Sequence, residues 1–136
     1  SEDVTRQSGT LPSNLKTYRF MPQEQFLSLL AESQYVLQLS ISEGFPNALC
    51  EAMLCNCIPI GSDVGAVPFI IGDTGYIIEN PDPEYLSERM QEILAADAVT
   101  RRRLGISARE RVAGLFPISR RKKAFFELLE PAVNGR

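Results

Sequence analysis

The 136-residue sequence predicts an α/β domain, a parallel sheet with flanking helices followed by a helical C-terminal tail. Three observations lead there. Short β-rich runs alternate with amphipathic runs of helical length, the order that builds parallel βαβ units with right-handed crossovers. The stretch from Tyr35 to Leu54 reads as strand, glycine turn and helix in succession. At 44% hydrophobic and 23% charged, a chain of this length suffices for one domain with a real core.

Residues 1–14, with Gly9, Pro12 and Ser13, read as a loop. Leu15 to Phe20 alternates enough for a short strand, broken at Met21-Pro22. Gln23 to Glu32 places Phe26, Leu27, Leu29 and Leu30 on one side, the pattern of an amphipathic helix. Tyr35 to Leu39 is the next strand. A helix from Asn47 to Cys55 is entered through Pro46, with Asn47 expected as its N-cap. Ile58 to Ser62 is a strand, although Pro59 counts slightly against a central position. Asp63 to Pro68 is a loop containing Gly65, and Phe69 to Ile71 is a short helical turn or a strand edge. Gly75 to Ile78 is the fourth strand. Asp82-Pro83-Glu84 opens a helix that runs to about Ala96. Val99 to Leu115 continues the helical pattern with an expected interruption near Gly105. Pro117 starts a last helix, Ile118 to Leu129, ended by Pro131 and Gly135. The expected layout is a single domain: an incomplete start at 1–14, an α/β core at 15–96 and C-terminal helices at 97–136.

The longest apolar runs fall far short of a membrane span. The net charge of −3 conceals an asymmetry. Residues 1–100 carry 14 acids and 4 bases, whereas residues 101–136 carry 3 acids and 10 bases. A basic end running from Arg101, Arg102 and Arg103 to Arg120, Arg121, Lys122 and Lys123 can attract anionic lipid, so a peripheral membrane contact stays open. A solvated helix face is the simpler account. Nucleic acid is not an expected partner, because Phe116, Phe125 and Phe126 fit a core stripe better than base stacking. Cys50, Cys55 and Cys57 lack zinc-site spacing, and the chain has no His to ligate a metal or activate a thiol. Buried thiols in a reducing cytoplasm are the expectation, with no metal site.

The chemistry concentrates in Ser40-Ile-Ser-Glu43-Gly-Phe-Pro-Asn-Ala-Leu-Cys-Glu51-Ala-Met. A helix that starts just past a strand end presents unpaired N–H groups and a positive dipole end, which favour a bound phosphate. Glu51, one turn inside that helix, can reach hydroxyls on whatever the phosphate carries. Ligands of parallel sheets bind at the carboxyl ends of the strands. Glu43 and Gly44 follow one strand end and Ser62 to Gly65 follow the next, so two loops should meet at one crevice.

In this order, Ser40-x-x-Glu43-Gly-Phe-Pro-Asn-x-x-x-Glu51-Ala-Met, Ile58-Pro-Ile, Ser62-Asp-Val-Gly65 and Gly75-Tyr-Ile-Ile, the sequence resembles the C-terminal, donor-binding domain of retaining GT-B glycosyltransferases of the glycosyltransferase family 4 or group 1 type. The resemblance runs from about Leu15 to Leu94. It implies a Rossmann-like domain that binds a nucleoside-diphosphate sugar, without a metal or other cofactor, and passes the sugar to a glycan or lipid-linked acceptor. Glu43 would face the donor sugar at the reacting centre. Backbone N–H groups across Gly44, Phe45, Pro46, Asn47, Ala48 and Leu49 would hold the sugar and diphosphate, and Glu51 would bind the ribose hydroxyls. Backbone near Phe20 and Met21 would contact the base, and Ser62 and Gly65 would complete the crevice. Two positions depart from the pattern: Asn56 stands where Gly is common and Phe69 where an acid is common. Asn tolerates left-handed backbone better than most residues. The first strand of such a domain and an upstream Arg and Lys have no counterpart in residues 1–16. The expectation is therefore a piece of a longer enzyme, inactive alone, whose N-terminal domain binds the acceptor. The alternative is a non-catalytic nucleotide- or partner-binding module.

Overall fold

The computed structural model describes residues 12–117 and Ser119. Three parallel strands form the sheet: β1 (Tyr35–Gln38), β2 (Ile58–Ser62) and β3 (Tyr76–Ile78), in the order β1-β2-β3. Leu37 lies opposite Ile60, and Ile60 opposite Tyr76. Among the described residues five helices flank it: α1 (Gln23–Glu32), α2 (Asn47–Leu54), α3 (Val67–Ile71), α4 (Pro83–Leu94) and α5 (Ala98–Leu115). Among the described residues no helix is long and apolar enough to cross a membrane.

Alternation along the strands sorts the core into two layers. Val36 and Ile77 point to the face covered by α2, α3 and α5, where Leu49, Met53, Val67, Ile70, Ile71, Ala108 and Val112 form the main cluster. Ile60 and Ile78 point to the other face and meet Ile93 of α4, with Tyr35, Tyr76 and Leu86 around them. Gly61 lets α3 sit directly on β2, since a Cβ there would run into the side chains of Val67 and Ile71. Pro59 occupies a central strand and is buried.

The local signals of the sequence explain most of the boundaries. Asp82 caps α4 by accepting from the backbone N–H groups of Glu84 and Tyr85, at 3.0 and 3.1 Å. Asp97 caps α5 through Thr100 N–H at 2.8 Å, and the bonds from Thr100 hold its carboxyl below the usual range. α2 ends in a Schellman arrangement. Asn56 takes φ +65°, its N–H donates to Met53 O at 3.0 Å, and Cys57 N–H donates to Ala52 O at 3.0 Å. Asn56 thus does the work of the glycine expected there. Beside it the buried thiol of Cys57 donates to Leu30 O at 3.2 Å, and burial pushes its pKa up to about 11.

Four expectations need correction. Leu15 to Phe20 is not a strand; alternation alone cannot hold one without a partner, and Leu15, Tyr18 and Phe20 are all exposed. The sheet therefore has three strands among the described residues rather than four. Gly105 does not interrupt α5. It sits where the helix crosses the Asn56 carbonyl, and a Cβ there would lie 2.5 Å from that oxygen. Asn47 is not the cap of α2: Pro46 occupies that position without a side-chain cap bond, and Asn47 is the first helical residue. The loop at 63–68 is shorter than expected, because the helical alternative at Phe69–Ile71 prevails and α3 begins at Val67, with Pro68 tolerated in its first turn. Residues 1–11 of the expected first loop and, apart from Ser119, the expected helix at 118–129 with Arg120, Arg121, Lys122 and Lys123 lie outside the described residues.

Candidate functional site

The loops that follow β1 and β2 meet as expected. Gly65 takes φ +53° and packs so closely on the Glu43 carbonyl that a Cβ would overlap it. Ala66 N–H donates to Gly44 O at 3.3 Å. Ser62 Oγ donates to Gln38 O at 3.4 Å, and Asp63 N–H donates to Ile78 O at 3.2 Å, tying the second loop to the ends of β1 and β3. The loops that carry Glu43, Gly44, Ser62 and Gly65 therefore pack against each other at the carboxyl end of the sheet.

Glu43 is half-buried and held from one side. Gln38 Nε2 donates to its Oε2 at 3.1 Å and to Ser40 Oγ at 2.8 Å, and Ser40 Oγ donates to the same Oε2 at 3.3 Å. Among the described residues its Oε1 accepts no hydrogen bond, so one oxygen is anchored and the other is presented. Glu51, on the second turn of α2, accepts from Gln23 Nε2 at 3.0 Å. That bond links it to the first residue of α1 and so to the Phe20–Pro22 segment. Neither glutamine was among the candidate residues. Neither belongs to a recognisable motif, and only the tertiary arrangement shows what they hold.

Between the two glutamates lies the start of α2. Its first N–H groups have no side-chain cap. Asn47 and Ala48 are exposed, while Leu49 is fully buried in the main core cluster, so Leu49 can offer the site only its backbone. Gly44 does not have the positive φ seen at Gly65 and Gly72, and nothing lies within 4 Å of where its Cβ would be. The described chain gives no internal reason for a glycine at this position. Neither the 40–51 segment nor the 62–66 segment contains a Lys or Arg.

Phe45 is 47% exposed and meets Phe116 edge-on, with ring centroids 5.1 Å apart. Phe116 also meets Phe69 at 6.5 Å. Phe69 thus joins a small aromatic cluster at the crevice side of α5. Arg111 is a structural cation: Nε and Nη2 donate to the carbonyls of Ile70 and Phe69 at 2.8 and 2.7 Å, closing the C-terminal end of α3. Phe20 and Met21 do not join the crevice loops; they line a separate cavity of about 400 Å³ along α1 with Tyr18, Arg19 and Gln25. Among the described residues no three His, Cys, Asp or Glu side chains gather closely enough to hold a metal ion.

Residues 6–111 match the profile of the family described as glycosyl transferases group 1. N-acetyl-alpha-D-glucosaminyl L-malate synthase of Bacillus anthracis is 34% identical over 120 residues, covering 84% of this chain and 31% of that protein. Trehalose synthase of Pyrococcus horikoshii is 32% identical over 99 residues, 71% of this chain and 23% of that protein. Among solved structures, sucrose-phosphate synthase from Thermosynechococcus elongatus superimposes with a TM-score of 0.64 at 30% identity, over 74% of this chain and 26% of the other. The chain spans roughly a quarter to a third of the length of these proteins.

Proposed function

Because the chain belongs to the group 1 glycosyltransferases, we propose that it is the donor-binding domain of an enzyme that moves a sugar from a nucleoside-diphosphate sugar to a glycan or lipid-linked acceptor with retention. The observation that carries this reading is Gly44 beside the uncapped start of α2, set between Glu43 and Glu51. An open glycine and free N–H groups let a diphosphate approach the backbone as no side chain would allow. As the bond from the anomeric carbon to the diphosphate breaks, charge grows on the leaving oxygens. Fixed N–H dipoles at the start of α2 stabilise it there.

Glu43 faces the donor sugar with Oε1 while Gln38 and Ser40 fix Oε2. Glu51 accepts two hydrogen bonds from the ribose cis-diol. Backbone near Phe20 and Met21 contacts the base from the neighbouring cavity along α1, a segment joined to Glu51 through Gln23. A further domain of the same protein holds the acceptor, and the reaction takes place in the cleft between the two domains, where holding both substrates together supplies much of the rate. No metal is required in this scheme. The enzyme works in the cytoplasm, at the inner face of a membrane when its acceptor is lipid-linked.

The test is the melting shift of this chain with UDP, GDP and ADP, beside Glu51→Ala. A nucleotide at about 100 times its Kd adds about 2.7 kcal/mol to stability. A shift with one nucleotide, lost in Glu51→Ala, supports the donor site and names the base. No shift with any of the three, repeated on a chain extended towards the N-terminus, overturns it.

A further inference from the structure

At the opposite end of the sheet, the end of α1, the Cys55–Asn56 turn and the first turns of α5 line an open cavity of about 520 Å³. It lies beside the amino ends of β1 and β2, whereas the crevice loops follow their carboxyl ends. The two are therefore separate sites, and the chemistry of this cavity is independent of the donor reading.

Arg101, Arg102 and Arg103 are consecutive near the start of α5. The amino end of a helix is its positive pole, so cations gathered there are unfavourable. Among the described residues the single ion pair is Arg89–Glu92, so none of the three arginines is in an ion pair there. Arg101 and Arg102 both line the cavity. Arg101 is anchored: Nη1 donates to Ala96 O at 2.6 Å. Its Nε is buried and has no hydrogen-bond partner among the described residues. The Tyr35 hydroxyl interacts with the same guanidinium from the protein side. The neutral polar groups of Ser33, Gln34 and Asn56 stand on the same walls, and Glu32 is the one acid there, exposed to solvent.

We propose that this cavity binds a phosphate monoester, held by the guanidinium groups of Arg101 and Arg102. A monoester carries close to two negative charges at neutral pH and three acceptor oxygens. That fits two planar guanidinium groups from one helix on the same cavity wall, and it offsets the repulsion between the arginines. Ser33, Gln34 and Asn56 are placed to take hydroxyls on the esterified group.

The experiment follows backbone amide shifts of the isotopically labelled chain on titration with inorganic phosphate and with glycerol 3-phosphate, and then with vesicles of phosphatidate in phosphatidylcholine. The expected result is saturable movement of the Asn56, Gly105 and Ile106 amides, with affinity reduced about tenfold in Arg102→Gln. Arg102 is exposed, so that variant keeps the fold even where Arg101→Gln, which also loses the Ala96 bond, does not. A response to glycerol 3-phosphate assigns the site to a soluble ester. A response to phosphatidate vesicles alone, lost in Arg102→Gln, assigns it to a lipid headgroup. No movement with any probe overturns the proposal. So does movement confined to the Gly44–Leu49 amides, or binding unchanged by Arg102→Gln.

Discussion

Gly44 and Gly65 sit in the two loops that meet at the carboxyl end of the sheet, and opposite causes put glycine at each. Gly65 is required by the chain: its φ of +53° and its packing on the Glu43 backbone leave no room for a side chain. Gly44 is required by neither conformation nor contact among the described residues. Asn56, at the other end of the sheet, is intermediate, with a left-handed φ of +65° carried by a residue that tolerates it. Three turn residues therefore separate three demands: conformation with packing, conformation alone, and neither. The demand missing from the chain at Gly44 is the one a ligand would make.

The largest effect belongs to Gly65→Ala. A left-handed conformation costs a residue with a Cβ about 1–2 kcal/mol, and overlap with backbone costs about 1–3 kcal/mol more. The expected destabilisation is on the order of 3 kcal/mol in urea unfolding, with Glu43 displaced. Unchanged stability would show that the two loops are not packed as described, and the contrast with Gly44 would collapse.

Asn56→Ala comes next, at about 1 kcal/mol, because the left-handed turn remains but loses the residue type that tolerates it. Asn56→Gly should fall within about 0.5 kcal/mol of the parent. The pair sharpens the comparison by isolating conformation from packing. Equal destabilisation by Ala and Gly would mean that the Asn56 side chain, rather than its φ, matters at this turn.

How far the sequence shows these demands depends on their range. The strand–turn–helix of residues 35–54, the Asp82 cap and the tolerance of Asn56 for its turn are legible because their causes lie within a few residues. The meeting of the crevice loops is legible from topology, since parallel strands send their carboxyl ends to one side. Gly105 misleads because a helix-breaking signal and a close crossing look alike in one dimension. Leu15 to Phe20 misleads because alternation describes a strand's faces and says nothing of its neighbours. Gln23 and Gln38 stay hidden because they act through partners 28 and 5 positions away. The basic end is split in the same way: Arg111 closes α3 while Arg101 keeps an unmet donor, and composition counts them alike.

Gly44→Ala has the smallest expected effect on stability, within about 0.5 kcal/mol, since the added methyl meets nothing. Its effect on nucleotide binding should be larger, because the methyl projects into the open space beside the uncapped start of α2. The expected loss is about tenfold in affinity for the preferred nucleoside diphosphate, read by calorimetry, while UMP, GMP or AMP of the same base loses less for want of the second phosphate. Bulk should matter in order, with Gly44→Val worse than Gly44→Ala at equal folding stability. A Gly44→Ala variant that keeps full affinity would place the diphosphate elsewhere and leave Gly44 an ordinary exposed turn residue. A variant that loses stability and affinity together would return Gly44 to the same class as Gly65. Only the divergence of the two readouts assigns this glycine to a ligand rather than to the chain.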